Sequence, residues 1–324
     1  MHKLAIIGAG IAGLTLATRL QGKAALTIFE KSRHPGGRMA TRRAGPFEFD
    51  HGAQYFTARS GEFRHFLSTH FDATGLQDWQ PGTLTLSERE KPYRRPWFEP
   101  HWIGVPAMNS FAGALPVREA VEFQAQVTAL TDTESGWRLQ LHDGRQRGPF
   151  DWVVVTAPAA QTSHLLPAEL AMQESLHRVR MSGCFSLMLG FQEPPAMPFN
   201  AAVVKDSPLA WLAVNSSKPG RTGPCSLLAQ SRNDWADANL EQPRDRVTAQ
   251  LLSALGRLLP ELPEPDHLDL HRWRYAATTE PLGLDYLLES DRRLAACGDW
   301  CLGGRVEAAF TSANRLADAL LALL

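Results

Sequence analysis

The chain predicts an α/β fold: a Rossmann-like parallel sheet carrying a β-meander insertion, joined to an α+β layer on a mostly antiparallel sheet. Three observations point there. The run Leu4-Ala-Ile-Ile-Gly-Ala-Gly-Ile-Ala-Gly-Leu14 reads as strand, glycine turn and helix, and the apolar stretch Ala25 to Phe29 ends on an acid, Glu30. Short apolar runs separated by turn residues fill the middle of the chain. The C-terminal segment returns to a strand ending in Asp299, followed by Gly303-Gly304 and a helical apolar stripe.

The first unit predicts a dinucleotide site. Gly8 allows the tight turn, Gly10 lets backbone approach a pyrophosphate, and Gly13 lets the helix lie close to the strand. The helix begins near Ile11, so Ala12 sits in its first turn, where unpaired N–H groups would meet the phosphate charge. Glu30, with Lys31 beside it, would accept from an adenosine ribose. A carboxylate there repels a 2′-phosphate, which favours FAD or NAD over NADP.

Further along, Phe47 to Phe56 reads as a short strand leading into a loop. Gly61 to Pro100, with Pro92, Pro96 and Pro100 breaking regular structure, reads as an irregular cover over a site. Phe123 to Leu130, Trp137 to His142 and Trp152 to Thr156 read as strands of a meander turning at Asp143-Gly144, the last also returning to the parallel sheet. Met181 to Phe191, Leu209 to Val214 and Ser226 to Ser231 read as strands of the second layer. Pro243 to Leu259 carries Val247, Leu251, Leu252, Leu255 and Leu258 at helical spacing. The expected division is a discontinuous cofactor domain (1–60, 101–160 and 271–324) and a substrate domain (61–100 and 161–270).

Composition narrows the partners. With 324 residues, 44% apolar and 21% charged, and 33 basic against 34 acidic residues, nothing marks a nucleic-acid or anionic-membrane surface, and no protein partner is implied. No export or membrane-spanning segment is read. Cys184, Cys225, Cys297 and Cys301 lack metal or CxxC spacing, which points to reduced thiols and the cytoplasm. His267 and His271 alternate with leucines as in a strand, roughly 13 Å apart, too far to share a metal. His51 reads as structural.

Gly36-Gly37-Arg38, a few residues past Glu30, adds a second close backbone approach and a guanidinium for the pyrophosphate. This arrangement resembles the second glutathione-reductase-type FAD group, and the resemblance implies FAD as the cofactor. By that resemblance Ala53 and Gln54 lie near the flavin, Val127 offers backbone groups to the adenine, and Asp299 accepts from the ribityl chain. The helix N-terminus at Arg305, Val306 and Glu307 would point at the flavin pyrimidine, where its dipole favours developing negative charge. No second GxGxxG follows, so no separate domain holds a pyridine nucleotide as reductant.

Gly8–Leu14, Gly36–Met39, Asp50–Arg59, Trp102–Met108, Trp211–Pro219, His271–Tyr275 and Cys297–Glu307 together resemble the bacterial renalase-like flavoproteins. The resemblance implies oxidation of misreduced 2- or 6-dihydronicotinamide nucleotides to NAD(P)⁺, with O2 as acceptor and hydrogen peroxide as by-product. Such a substrate becomes an aromatic pyridinium on losing hydride, so no side-chain base is required and no catalytic residue is assigned. The amine oxidases of the same superfamily place a tyrosine where Arg305 stands, and a cation there suits a phosphorylated substrate. Tyr55, Phe56, Thr57, Ala58 and Arg59 follow the flavin-side loop and are the candidate substrate pocket. Arg59 would pair with a nucleotide phosphate or be a surface arginine; Phe185 and Trp300 would stack on a nicotinamide or pack a core. The alternatives are an amine or polyamine oxidase, a desaturase, or a non-catalytic flavin-binding protein.

Overall fold

A computed structural model describes residues 1–324. Six strands form the first sheet in the order Leu287–Glu289, Leu294–Ala296, Trp152–Val155, Lys3–Ile7, Ala25–Glu30, Val121–Phe123, parallel except at the Leu287–Glu289 edge. Its central strands Lys3–Ile7, Trp152–Val155 and Leu294–Ala296 are buried on both faces, and alternation sorts their side chains. Leu4, Ile6 and Val154 meet Leu14, Leu316 and Leu320 of the helices Ile11–Leu20 and Val306–Leu321. Ala5, Ile7, Val153 and Val155 face the opposite way, against the meander and the helix Met172–Arg178. Both chain ends therefore build one face of one sheet.

The meander is Val127–Thr133, Gly136–Leu141 and Gln146–Phe150. Two expectations change here. The stretch 123–130 breaks at Gln124, whose φ is +54°, so that Val121–Phe123 stays in the parallel sheet and a new strand starts at Val127. The third meander strand is Gln146–Phe150, which leaves Trp152–Val155 wholly to the parallel sheet.

The segment 61–100 is more regular than expected. Ser60 Oγ accepts from Phe63 N–H (3.2 Å) and caps the helix Gly61–His70, whose Phe63, Phe66 and Leu67 are buried. Phe63 lies 4.7 Å from Phe310, joining this helix to the closing one. Thr83–Ser87 pairs in parallel with Ala201–Lys205. Only the stretch around Pro92, Pro96 and Pro100 remains largely irregular.

The second sheet runs His267–Glu280, Arg180–Phe191, Cys225–Ser231, Leu209–Val214, Ala201–Lys205, Thr83–Ser87, Tyr93–Arg94. Phe185, Leu187, Leu189, Leu212, Leu227 and Ala229 point to one face, where Val247, Leu251 and Leu255 of the helix Arg244–Leu258 cover them. Residues of the other parity, including Ser186, Trp211 and Gln230, face the first layer. The strand His267–Glu280 passes through position 271 without a break. No helix is long and apolar enough to cross a membrane.

Candidate active site

The cofactor cradle is set by contacts between glycines. A Cβ on Gly13 would stand 2.0 Å from the Gly8 carbonyl oxygen, and one on Gly8, at φ +111°, would stand 2.7 Å from Thr156 Oγ1, so helix and strand meet more closely than any side chain permits. At Gly10 an added Cβ would meet nothing within 4 Å. Gly10 is also the helix N-cap and has no side chain to cap with; the N–H groups of Gly10, Ala12 and Gly13 find no acceptor in the protein. The second glycine turn comes alongside: Gly36 N–H donates to the Ala9 carbonyl (2.8 Å), and a Cβ on Gly37 would lie 3.4 Å from Gly10 Cα. Glu30 is buried, with Oε2 accepting from Ala9 N–H (2.9 Å) and Oε1 from Ser32 N–H (2.8 Å). Lys31 is exposed beside it, and Val127 is buried where the meander begins. An open helix N-terminus, free donors and an oriented acid fit an FAD pyrophosphate and ribose.

Arg38 and Asp299 come together in a way the sequence reading did not foresee. The guanidinium fork lies on both carboxylate oxygens, with Nη1 to Oδ2 at 2.8 Å, and Nη1 also reaches the Ala276 carbonyl at 3.3 Å. The arginine expected to hold phosphate thus joins the second glycine turn to the end of the Leu294–Ala296 strand. Ala53 is tied to the same place by its N–H to the Arg38 carbonyl (2.8 Å). Gln54 turns its side chain inward: Nε2 donates to the carbonyls of Asp50 and Gly52, and Oε1 accepts from Asn215 Nδ2 (3.2 Å) and Lys218 Nζ (3.4 Å).

Beneath that floor lies a buried charge cluster. Asp50 accepts from Lys218 Nζ (3.0 Å), Arg221 Nη2 (2.7 Å), Thr41 Oγ1 (2.7 Å) and Met108 N–H (3.0 Å). Burial raises the Asp50 carboxyl, but the two cations and the hydrogen bonds outweigh it and hold the group well below the usual carboxylate range. Two cations share that one anion, and burial with the Arg221 charge lowers Lys218 to about 8. His51 stacks on Trp273 (5.1 Å) and meets His271 edge-on (4.8 Å). Burial first, then neighbouring positive charge, depresses His51 to about 3 and His271 to about 4. Both rings are neutral near pH 7 and serve packing.

A cavity of about 430 Å³ opens where the two layers meet the start of the closing helix. Ala53, Gln54, Tyr55, Phe56, Thr57, Arg59, Arg305 and Val306, all expected from the sequence, line it. Three expected residues do not. Phe185 is on the far face of the second sheet, against Trp235 (6.0 Å), because alternation places it with Leu187 and Leu189. Trp300 is fully buried beneath the first sheet and its indole N–H donates to the Ala157 carbonyl (3.0 Å). Ala58 packs against the main apolar core. Both ring candidates are core aromatics.

Tyr55, Trp97, His101 and Trp211 form an aromatic wall, with Tyr55 4.1 Å from His101 and 5.9 Å from Trp211, and Trp97 3.7 Å from His101. Burial raises the Tyr55 phenol and lowers His101, so both are neutral at pH 7. At the rim Arg59 is paired with Glu99 (Nε to Oε2, 2.9 Å), and Glu307 accepts from the backbone N–H groups of Arg59 (3.0 Å) and Ser60 (2.6 Å). Arg305 is exposed and makes no salt bridge. Trp211, Gln230, His101 and Glu99 are cavity residues that the sequence reading does not place there; the alternation of Leu209–Val214 and Cys225–Ser231 carries the signal for the first two. No group of three or more His, Cys, Asp or Glu is placed to hold a metal.

Residues 99–321 match the model of the flavin containing amine oxidoreductases, and residues 6–69 that of an NAD(P)-binding Rossmann-like domain. The chain belongs to the flavin containing amine oxidoreductase family. Among solved structures, this family member is similar over 100% of its length to 99% of a chain assigned as a protoporphyrinogen oxidase from Exiguobacterium sp. (TM-score 0.80, 12% identity). It is also similar over 99% of both chains to a wild-type putrescine oxidase bound to putrescine (TM-score 0.73, 12% identity). At such identity these likenesses show the fold. Among curated relatives, a 1-hydroxycarotenoid 3,4-desaturase of Flavobacterium sp. is 43% identical over 58 residues, which are 18% of this chain and 12% of the desaturase. The protein is thus an FAD-binding oxidoreductase of this superfamily.

Proposed function

We propose that the protein is a renalase-like oxidase that returns misreduced 2- or 6-dihydronicotinamide nucleotides to NAD(P)⁺. The observation that carries this reading is the composition of the cavity: an aromatic wall for a planar ring beside an unpaired guanidinium, Arg305, for a phosphate. Both glutamates at the rim are already engaged, Glu99 by Arg59 and Glu307 by backbone N–H groups. No lysine lines the cavity and both carboxylates there are occupied, so the neutral imidazole of His101, whose Nδ1 donates to the Glu99 carbonyl, is the one side-chain base left on its wall. A substrate driven by aromatisation needs none.

Bound FAD would supply the hydride acceptor and the route for electrons to O2. The chain's own residues would do the rest. Gly8, Gly10, Ala12, Gly13 and Gly37 make the pyrophosphate cradle, Glu30 and Lys31 the ribose end, and Val127 the adenine side. Arg38 and Asp299 brace the middle, and Ala53, Gln54 and Val306 border the ring. Tyr55, Phe56, Thr57 and Trp211 wall the substrate, and Arg305 holds its phosphate. The four buried unpaired thiols, with Cys184 pushed up to about 11 and Cys301 to about 12 by burial, suit a reducing cytoplasmic setting.

Under air, a mixture of dihydronicotinamide isomers should yield NAD⁺ and hydrogen peroxide in equal amounts. Peroxide produced from putrescine or other polyamines, and none from the isomers, would instead support the amine oxidase reading, which the carboxylates of Glu99 and Glu307 at the rim favour.

A further inference from the structure

The sheet wall of the cavity carries a polar pair that the cofactor does not account for. Trp211 and Gln230 are directly opposed in the antiparallel register of Leu209–Val214 and Cys225–Ser231. Opposed residues send their side chains out on one face, with Cβ atoms about 4.5–5.5 Å apart. Both line the cavity, while their neighbours Leu212 and Ala229 point into the core behind the sheet.

The hydrogen-bond roles of the pair follow from its surroundings. Gln230 Nε2 donates to the Gly52 carbonyl (2.8 Å), a group that only accepts, so Oε1 is the end left as an acceptor. Trp211 Nε1 is a donor only, and in the protein it has no partner. Leaving such a group unbonded away from water is unfavourable by about the worth of a hydrogen bond, a debt that a ligand acceptor removes. Trp97 covers this indole with ring centroids 6.1 Å apart, and the Trp97 N–H is itself unpartnered, so ring contacts alone hold the cover in place.

A free donor next to a free acceptor is the complement of a primary carboxamide, whose carbonyl accepts and whose NH2 donates. We propose that Trp211 and Gln230 form a carboxamide-reading pair, selecting planar rings that carry –C(O)NH2 over the same rings bearing a carboxylate. This rests on the dihydronicotinamide reading and names the group by which the site would recognise that substrate. A carboxylate in the same position has no proton for Gln230 Oε1 and sets oxygen lone pairs against it.

The test is an equilibrium titration of the oxidised holoenzyme, read by the perturbation of flavin absorbance, with nicotinamide mononucleotide and nicotinic acid mononucleotide as probes. The amide should bind tighter by roughly tenfold or more, the equivalent of one hydrogen bond kept and one repulsion avoided. Trp211→Phe keeps a ring and removes the N–H; Gln230→Met keeps the chain length and removes the acceptor. Gln230→Met should bring the amide-to-acid ratio toward one by weakening the amide and relieving the acid, whereas a merely structural role would weaken both ligands alike; Trp211→Phe, which removes a donor that either ligand's oxygen can use, should weaken both and leave the ratio standing. Equal wild-type affinities, binding of neither probe, a ratio that survives in Gln230→Met, or affinities unchanged in Trp211→Phe would overturn the proposal. If no dihydronicotinamide reduces the flavin yet the ratio holds in the wild type and falls in Gln230→Met, the oxidase reading fails and the carboxamide pair stands.

Discussion

Gly10→Ala and Gly13→Ala should separate binding of the cofactor from stability of the fold. Gly10 has φ −76° and ψ −179°, a conformation open to any residue, and its added Cβ would touch nothing in the protein. The variant should melt, as apoprotein, within about 1 °C of the parent, since a surface change without strain is worth under about 0.5 kcal/mol. The same methyl would occupy the approach to the pyrophosphate. Losing two charge-assisted N–H bonds at about 1.5–3 kcal/mol each amounts to about 3–6 kcal/mol, or roughly 10²–10⁴-fold in Kd. At Gly13 the Cβ would fall 2.0 Å from a backbone carbonyl oxygen, so helix and strand must separate by about 1 Å or more. Overpacking against backbone at the upper end of about 1–3 kcal/mol should lower the apoprotein Tm by several degrees. The assays are flavin content of the purified proteins, FAD titration by fluorescence quenching, and calorimetry of the apo forms. A Gly10→Ala protein that retains full flavin with unchanged Kd would refute the placement of the pyrophosphate.

Other perturbations follow from the charges. Asp50→Asn should cost about 3–5 kcal/mol by leaving Lys218 and Arg221 buried without an anion, whereas Lys218→Met, which turns an excess of cations into a matched pair, should change stability by about 1 kcal/mol or less in either direction; urea melts read both. Arg38→Leu should lower Tm and flavin content together, since it strips Asp299 of its bidentate partner. His51 and His271 have folded-state pKa values depressed to about 3 and about 4 from an ordinary 6.5, so below pH 6.5 the unfolded chain takes up protons that the folded chain refuses. Stability should fall as pH drops from about 6.5 toward 4, with a slope near pH 5 of up to about 2.7 kcal/mol per pH unit from this pair, and His271→Gln should roughly halve that slope. Arg305→Ala should raise KM for a phosphorylated substrate about tenfold and leave flavin content unchanged.

Local signals made much of the cofactor unit legible. Gly8, Gly10, Gly13 and Glu30 are close in sequence, and their spacing alone states a strand, a turn, a helix and an acid. The closing helix was readable from its stripe, since Ala309, Phe310, Ala313, Leu316 and Leu320 are all buried. What escaped depends on pairing between distant segments. The Arg38–Asp299 fork joins residues 261 positions apart, and no local pattern announces that a guanidinium will choose a carboxylate of its own chain. Phe185 was misjudged because its strand was recognised but not which parity faced the cavity. The helix Gly61–His70 was hidden by the prolines that follow it, although Ser60 and the Phe63, Phe66, Leu67 spacing marked it. Trp211 and Gln230 become neighbours only when their strands pair.

The proposed reaction turns on a flavin reduced by a ring that gains aromaticity. Anaerobic stopped-flow mixing of the yellow holoenzyme with purified 2- and 6-dihydronicotinamide nucleotides, followed at the oxidised-flavin absorbance band, tests it most directly. Rapid, stoichiometric bleaching by at least one of these isomers and none by putrescine is the expected result. Bleaching by the amine alone would contradict it.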